Sequence, residues 1–273
     1  MDDKLFPQAQ GEASFVAIGD SFTEGLNDVA PGGDFRGWAD RLADKLAVEY
    51  PGLRYANLAV RGKLLRQIVA EQVPAAAAMR PGLVSIAGGG NDILRPGADP
   101  DVLAELFEAA IARLRATGSQ VLMFTGFDPV GTPVLRLLRG RIGTYNMHLR
   151  AIADTHDCYL VDLWSMRFLR SPEAWSTDRL HLNAESHRRV ALRACEVLGV
   201  PAGEDWREPG DAPVAVTAPV TRADWMAARR EDARWAREYL MPWVSRRLHG
   251  TSSGDGRTAK RPALELVAPP LVQ

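Results

Sequence analysis

Cysteine is scarce in this chain: Cys158 and Cys195 are the only two among 273 residues. One opens an apolar run and the other falls in a helical pattern, so both read as small core residues, and a disulfide framework or thiolate metal site is not expected. No stretch approaches 18 consecutive apolar residues, which argues against a membrane-crossing helix. An excess of one charge is missing too. Lys and Arg number 33 against 34 Asp and Glu, a formal net charge of −1, so nothing in the overall balance draws the chain to nucleic acid or to a membrane surface. Residues 1–12 carry Asp2, Asp3, Lys4 and Glu12 and lack the apolar core of a secretory signal, which sets the expectation of a cytoplasmic protein. Neither G-x-G-x-x-G nor G-x-x-x-x-G-K-[ST] occurs, which discounts nucleotide binding, and no internal repeat is found.

What is present is a regular alternation over the first two hundred residues. Ser14 to Ile18 is a compact apolar run ending in glycine, as a buried parallel strand requires, and similar runs occur at Tyr55 to Val60, Leu83 to Ala87, Val121 to Phe124 and Tyr159 to Leu163. Between them lie helical patterns. Leu103, Leu106, Phe107, Ala110, Ile111 and Leu114 share one helix face, as do Ala39, Leu42, Ala43, Leu46 and Tyr50, and Val190, Ala191, Ala194 and Leu198 mark a last helix. Five strands alternating with helices predict βαβ units, right-handed crossovers and a three-layer α/β/α sandwich around a parallel sheet. Ligands in such a sheet collect beyond the carboxyl ends of the strands, so the residues just after each strand are the candidates for chemistry.

Past Val200 the pattern changes. Residues 201–219 hold four prolines and read as a linker, and residues 221–248 are expected to form a helix offering Trp225, Trp235, Tyr239 and Trp243 for packing, with a kink or restart at Pro242. Ten Arg and Lys stand against five Asp and Glu between Thr221 and Arg261. That balance fits a solvated helix face with a partly disordered tail, or a contact with a protein or anionic surface. The division expected is a domain over 1–200 and an extension over 201–273.

Four candidates sit at strand ends. After the first strand comes Gly19-Asp20-Ser21-Phe22-Thr23-Glu24-Gly25. A serine at this strand-to-helix turn can point its hydroxyl into the crevice and its backbone N–H at a developing anion, or it can simply cap the helix. Thr23 stands where a Gly-x-Ser-x-Gly elbow needs its second glycine, so that motif is absent. After the second strand, Gly62 allows close approach of backbone to a ligand, though taken alone an ordinary turn explains it better. After the third comes Gly88-Gly89-Gly90-Asn91-Asp92, where Asn91 can offer a side-chain N–H to the same crevice. After the fifth comes Asp178-Arg179-Leu180-His181. An Asp three residues before a His folds back within one turn to orient the imidazole, which a nucleophilic serine needs as its base. Of the other histidines, His148 and His156 lie in helical context, His249 in the tail, and His187 on the last helix's apolar face as a structural residue.

Taken together, the set resembles the SGNH/GDSL hydrolase family, whose four blocks are a GDS nucleophile loop, a lone glycine, a G-x-N-D loop and a D-x-x-H loop. Here they are Gly19-Asp20-Ser21 with Gly25, then Gly62, then Gly89-Gly90-Asn91-Asp92, then Asp178-Arg179-Leu180-His181, spread over about Phe15 to Val200. Phe22 departs from the leucine in the family's name, and the extension after Val200 is not part of the family core. The resemblance implies a flavodoxin-like fold with a five-stranded parallel sheet and ester hydrolysis through Ser21, His181 and Asp178. The oxyanion would meet the backbone N–H groups of Ser21 and Gly62 and the Asn91 amide. No metal or organic cofactor is expected. A short-chain or O-acetyl ester, on a carbohydrate for instance, is the first substrate expectation, with a lysophospholipid or thioester second. The segment from Phe127 to Tyr145, with Val130, Val134, Leu135, Leu137 and Leu138, either borders the acyl pocket or forms the core face of a crossover helix, and Arg136, Arg139 and Arg141 either attract an anionic substrate or are solvated. A catalytically silent ligand-binding module of the same fold is the rival from another class. An interaction role for the basic tail is a third possibility.

Overall fold

Strand β1, Ser14–Ile18, is buried along its whole length, which only a strand covered on both faces can be. In this computed structural model the described residues are 5–6, 13–131, 135–208, 230, 234–235, 237–238, 241 and 252–268. Parallel to β1 run β2 (Arg54–Asn57) and β3 (Leu83–Ile86), followed outward from β3 by β4 (Gln120–Phe124) and β5 (Tyr159–Val161). A sixth strand, β6 (Arg261–Leu266), joins β2 antiparallel, so the sheet order is β5-β4-β3-β1-β2-β6. The five parallel strands carry the flavodoxin-like order. The expected count of five is therefore corrected to six. β6 carries Pro262 and two charged residues and buries little of its length, so it has no clear strand signature in the sequence. A proline is tolerated there because β6 is an edge strand.

Helices cover both faces. On one lie α2 (Trp38–Glu49) and α8 (Ala184–Leu198), packed against each other and over Phe15, Ala17, Leu122 and Phe124. On the other lie α4 (Val73–Met79), α6 (Pro100–Arg115) and α7 (Arg139–Thr155), over Val16, Ile18, Val84 and Met123. Local chemistry explains the boundaries of α6. Asp99 caps its N-terminus by accepting from Asp101 N–H, Pro100 fills the first turn where no donor is needed, and Leu103, Phe107, Ala110, Ile111 and Leu114 form the buried stripe.

The crossover after β2 is less regular. Leu65–Gln67 forms the short α3, and Ile68–Gln72 then widens into a π-turn before α4. Pro74, in the first turn of α4, has no N–H to continue an i→i−4 ladder, and a π-turn is one way a helix absorbs that break. Two short helices complete the set at strand ends, α1 (Ser21–Glu24) after β1 and α5 (Gly90–Ile93) after β3.

The chain past Val200 does not leave the domain at once. Lys45 and Arg188 both pair with Glu204, Arg189 donates to Trp206 O, and Trp206 Nε1 donates to Glu196. The proposed helix over 221–248 lies mostly outside the described residues, as do Trp225, Tyr239, Trp243, Pro242 and His249. Cys158 and Cys195 are free thiols, pushed by burial up to about 11 and about 12. Among the described residues no helix is long and apolar enough to cross a membrane.

Candidate active site

The four candidate segments meet at the carboxyl edge of the sheet. β1 and β3 are neighbours whose crossovers depart in opposite directions, so a crevice opens between their ends. Ser21 is the first residue of α1. The cap itself is Asp20, whose carboxylate accepts from Phe22 N–H at 3.1 Å. Capping by Asp20 releases the Ser21 hydroxyl, which lies 3.1 Å from His181 Nε2. His181 Nδ1 lies 2.7 Å from Asp178 Oδ2. Three side chains, two of them 160 positions from the first or nearly so, thus form one hydrogen-bonded line.

The loop that presents Asp178 and His181 is closed like a hairpin. Trp175 and Leu182 form an antiparallel bridge, Ser176 N–H donates to His181 O at 2.8 Å, and Arg179 turns the corner with φ 55°. Asp178 is heavily solvated by protein donors. Oδ1 accepts from Ser176 Oγ (2.7 Å), Leu180 N–H (2.9 Å) and His181 N–H (3.0 Å), while Oδ2 accepts from Asn27 Nδ2 (2.7 Å) as well as facing His181. Burial pushes the Asp178 carboxyl up, but the His181 ring and these backbone donors outweigh it and hold the group well below the usual carboxylate range. Asp178 is therefore ionised and its position is over-determined.

Asp20, beside the hydroxyl, behaves oppositely. Burial raises its carboxyl to about 6, against the lowering effects of Phe22 N–H, His181 and the Asn91 amide. Asn91 Nδ2 donates to Asp20 Oδ2 at 3.0 Å and to Lys63 O at 3.1 Å, so it ties the first candidate segment to the turn after β2. Its neighbour Asp92 accepts from Leu65 N–H at 2.9 Å and so caps α3. Gly62 turns with φ 74°, a conformation that favours glycine, and the preceding Arg61 is clamped by the Glu24 carboxylate through its backbone N–H and its guanidinium. Among the described residues, neither Ser21 N–H nor Gly62 N–H meets an acceptor.

Several supporting residues had no local signal. Gln72, delivered by the π-turn, accepts from Gly19 N–H at 2.7 Å and donates to Gly19 O at 2.9 Å, fixing the backbone two residues before Ser21. Asn27 adopts φ 74°, which asparagine tolerates, and its reach to Asp178 depends on that turn. His187 is buried beneath the site; its Nδ1 accepts from Trp38 N–H at 3.2 Å, and burial drives its pKa down to about 3, so it is neutral and structural. His148 faces Asp101 and His156 faces Glu108, both away from Ser21.

Next to Ser21 and His181 lies a cavity of about 230 Å³. Its walls include Phe127, Leu135, Ile142, Tyr145, Trp175 and Leu180. The segment from Phe127 to Tyr145 thus supplies wall residues, while Val130 and Leu137 are exposed and Val134 lies outside the described residues. Arg139 pairs with the buried carboxylate of Asp128 rather than facing the crevice, and Arg136 and Arg141 are exposed.

The fold is a parallel α/β sandwich with its candidate residues gathered at the carboxyl edge of the sheet. Residues 17–189, well over half of the chain, match the model of the GDSL-like lipase/acylhydrolase family, and the chain belongs to that family. Its class of activity is accordingly the hydrolysis of carboxylic esters. Solved structures of similar fold include LAE5, described as an alpha/beta hydrolase enzyme from the metagenome of Lake Arreo, with 23% identity over 69% of this chain and 95% of that one and a TM-score of 0.60. The acetylxylan esterase Axe2 from Geobacillus stearothermophilus is 21% identical over 72% of this chain and 96% of its own, with a TM-score of 0.57. TesA is 24% identical over 68% and 97%, also at 0.57. At such identities the likeness is one of fold. No curated protein matches the chain.

Proposed function

We propose that the chain hydrolyses esters through an acyl-enzyme on Ser21, with His181 as general base and acid and Asp178 as its orienting anion. The observation that carries this reading is the line of contacts at 3.1 Å and 2.7 Å joining Ser21 Oγ, the imidazole and Asp178. With Nδ1–H donated to the ionised Asp178, Nε2 carries the lone pair that takes the Ser21 proton as Oγ attacks the carbonyl carbon. The carbonyl electron pair moves to oxygen. Collapse of the tetrahedral intermediate expels the alkoxide, which takes the proton back from Nε2. Water then attacks the acyl-enzyme by the same route and returns Ser21 to its starting state.

The negative oxygen of the intermediate is assigned to the N–H groups of Ser21 and Gly62, with Asn91 as the third donor. Asn91 spends its amide hydrogens on Asp20 and Lys63 O at rest. In the intermediate the neutral carbonyl of Lys63 is the partner that a full anion displaces, since a charged acceptor forms the stronger hydrogen bond.

The acyl group is assigned to the apolar cavity. A void of about 150 Å³ lined by aliphatic and aromatic side chains is enough to bind benzene. At about 230 Å³ this one suits an acyl chain of several carbons, and an acetyl group leaves it largely unfilled. The cavity therefore favours a longer acyl chain over the O-acetyl ester first expected. The tests are direct. A fluorophosphonate probe should label the wild type and leave Ser21→Ala unlabelled; equal labelling of both ends the nucleophile assignment. In a p-nitrophenyl ester series, kcat/KM should rise with chain length beyond acetate by roughly fourfold per methylene, from about 0.8 kcal/mol per buried CH₂, until the cavity is full. A maximum at acetate removes the acyl assignment and leaves the nucleophile in place.

A further inference from the structure

The C-terminal segment lies outside the family match, yet it touches the candidate catalytic apparatus at two places. The topology makes one of these contacts unavoidable. β6 runs antiparallel to β2 and begins by pairing Arg261 with Asn57, at the carboxyl end of β2. Residues 252–260, which lead into β6, must therefore cross the sheet edge where the Arg61–Gly62 turn emerges.

They cross it in direct contact. A Cβ placed on Gly62 would lie 2.1 Å from Ser252 Oγ, and one placed on Gly254 would lie 1.9 Å from Arg61 O. At Gly254 the neighbour is backbone, so a side chain has no room there and glycine is required by that approach, whereas Gly62 is covered by the Ser252 hydroxyl. The crossing turn is braced from within: Ser252 N–H donates to Asp255 at 2.7 Å and Gly254 N–H to Ser252 Oγ at 3.1 Å.

Lys260 then fastens the turn to the nucleophile's side of the site. Its ammonium donates to Glu24 O at 2.7 Å, to Phe35 O at 2.9 Å and to the Asp40 carboxylate. Glu24 is the residue whose carboxylate clamps Arg61. The turn before Gly62 is consequently held from below by Glu24 and from above by Ser252 to Gly254, with Lys260 joining the two supports. The second contact is on the opposite loop. Trp235 Nε1 donates to Asp178 O at 2.9 Å, and the Arg179 guanidinium lies 5.3 Å from its ring.

We infer that the C-terminal extension is a clasp that positions the catalytic loops, with Ser252, Gly254 and Lys260 setting the Gly62 N–H for the oxyanion and Trp235 steadying the Asp178 turn. These are positioning residues, none of which touches the reacting atoms. The inference rests on the reading of Ser21 as nucleophile. Because an oxyanion exists only after attack, displacing one of its donors weakens binding of the transition state and spares the ground state. A misplacement of about 1 Å can cost on the order of a hundredfold in rate.

The test uses the full chain with Gly254→Val, which drives a side chain into Arg61 O, and the double variant Lys260→Met with Asp40→Asn, which removes the half-buried ion pair without leaving either partner's charge behind. Two readouts are compared: steady-state hydrolysis of a p-nitrophenyl ester, and inhibition by an alkyl boronic acid, which forms a tetrahedral adduct with the serine. The expected result is a fall in kcat of about tenfold or more, KM within about twofold, and a boronate inhibition constant weakened by the same factor as kcat/KM. Should Gly254→Val not fold, as judged by its thermal transition, the double variant carries the same expectation. A folded variant that keeps the wild-type kcat, or one whose kcat falls while boronate binding does not, overturns the clasp. Wild-type turnover separates the two levels: if the wild type neither hydrolyses the esters nor reacts with a fluorophosphonate at Ser21, the nucleophile reading falls and the clasp with it, whereas an active wild type beside equally active variants removes the clasp alone.

Discussion

Asn27 donates its amide to Asp178 Oδ2 across 2.7 Å, on the same carboxylate oxygen that faces the His181 imidazole, although the two residues stand 151 positions apart. The same amide reaches Ser176 Oγ at 2.8 Å, and that hydroxyl donates onward to Asp178 Oδ1. Asn27 thus fixes both edges of the carboxylate that orients the proposed general base, although it lies in the segment that follows the proposed nucleophile.

Asn27→Gly keeps the left-handed turn and deletes the amide, so it isolates this contact from backbone strain. A hydrogen bond to an ionised group contributes about 1.5–3 kcal/mol, and the loss of about 1.5 kcal/mol of orientation corresponds to a roughly tenfold fall in kcat. Steady-state kinetics should show that fall with KM little changed. A variant within twofold of wild type would mean that Asp178 is held sufficiently by its own loop.

Gln72→Leu should cost stability. It strands the buried Gly19 N–H and removes one partner from Gly19 O, which retains only the 3.3 Å contact from Val60 N–H. An unsatisfied buried backbone group costs about 1–3 kcal/mol, so urea unfolding should show a loss in that range or somewhat above it. A change below about 0.5 kcal/mol would show that another group replaces the clamp.

His187 should govern part of the acid sensitivity. Its folded pKa, about 3, lies below the ordinary value of 6.5, so between those limits the unfolded chain binds a proton that the native one does not. Stability from this group is complete above about pH 6.5 and is lost as pH falls, at roughly 1.4 kcal/mol per unit. Asp20 acts in the opposite direction. Its folded pKa of about 6 lies above the unfolded value, so it favours the native state increasingly as pH falls from about 6 to about 4. The wild-type stability curve should therefore be shallow from pH 6.5 to 4 and steepen below. Asp178, depressed in the fold, adds to the loss only below its unfolded value near 4. His187→Gln can keep an acceptor for Trp38 N–H and does not titrate, so its stability loss from pH 7 to pH 4 should be smaller by roughly 3 kcal/mol. Parallel curves for the two proteins would refute the assignment.

Ile142→Trp should shorten the preferred acyl chain. Ile142 is a wall residue of the cavity, and a larger ring there fills space that an acyl tail would otherwise occupy. In the p-nitrophenyl ester series the optimum should move toward shorter chains while kcat on the shortest ester is retained. An unchanged optimum would place the acyl group elsewhere.

Much of the candidate site's residue set is legible in the amino-acid sequence. Each β1 to β5 strand begins within one residue of its apolar run, and Ser21, Gly62, Asn91, Asp178 and His181 are all drawn to one edge of the sheet. The reason is local: apolar runs and helical stripes mark which chain ends point the same way in a parallel sheet, and the chemistry-bearing residues follow directly after them. The supporting cast was not legible. Gln72 sits in a helical run and Asn27 in a polar turn, where each has an ordinary surface explanation, and only a π-turn and a left-handed residue aim them inward. β6 was hidden for a related reason, since a proline and two charges in six residues read as tail unless the open edge of β2 is known to be waiting.

By itself, then, the sequence determined the parallel α/β framework, the family and the set of side chains gathered at the crevice, because hydrophobic periodicity and strand-end motifs are short-range properties of the chain. Tertiary structure alone decided which of those groups touch and what holds them. Contacts spanning 53 positions from Gln72 to Gly19, 151 from Asn27 to Asp178 and 236 from Lys260 to Glu24 depend on how layers pack and how an edge strand pairs. No local pattern encodes the distance between two atoms that meet only when the whole domain closes around them.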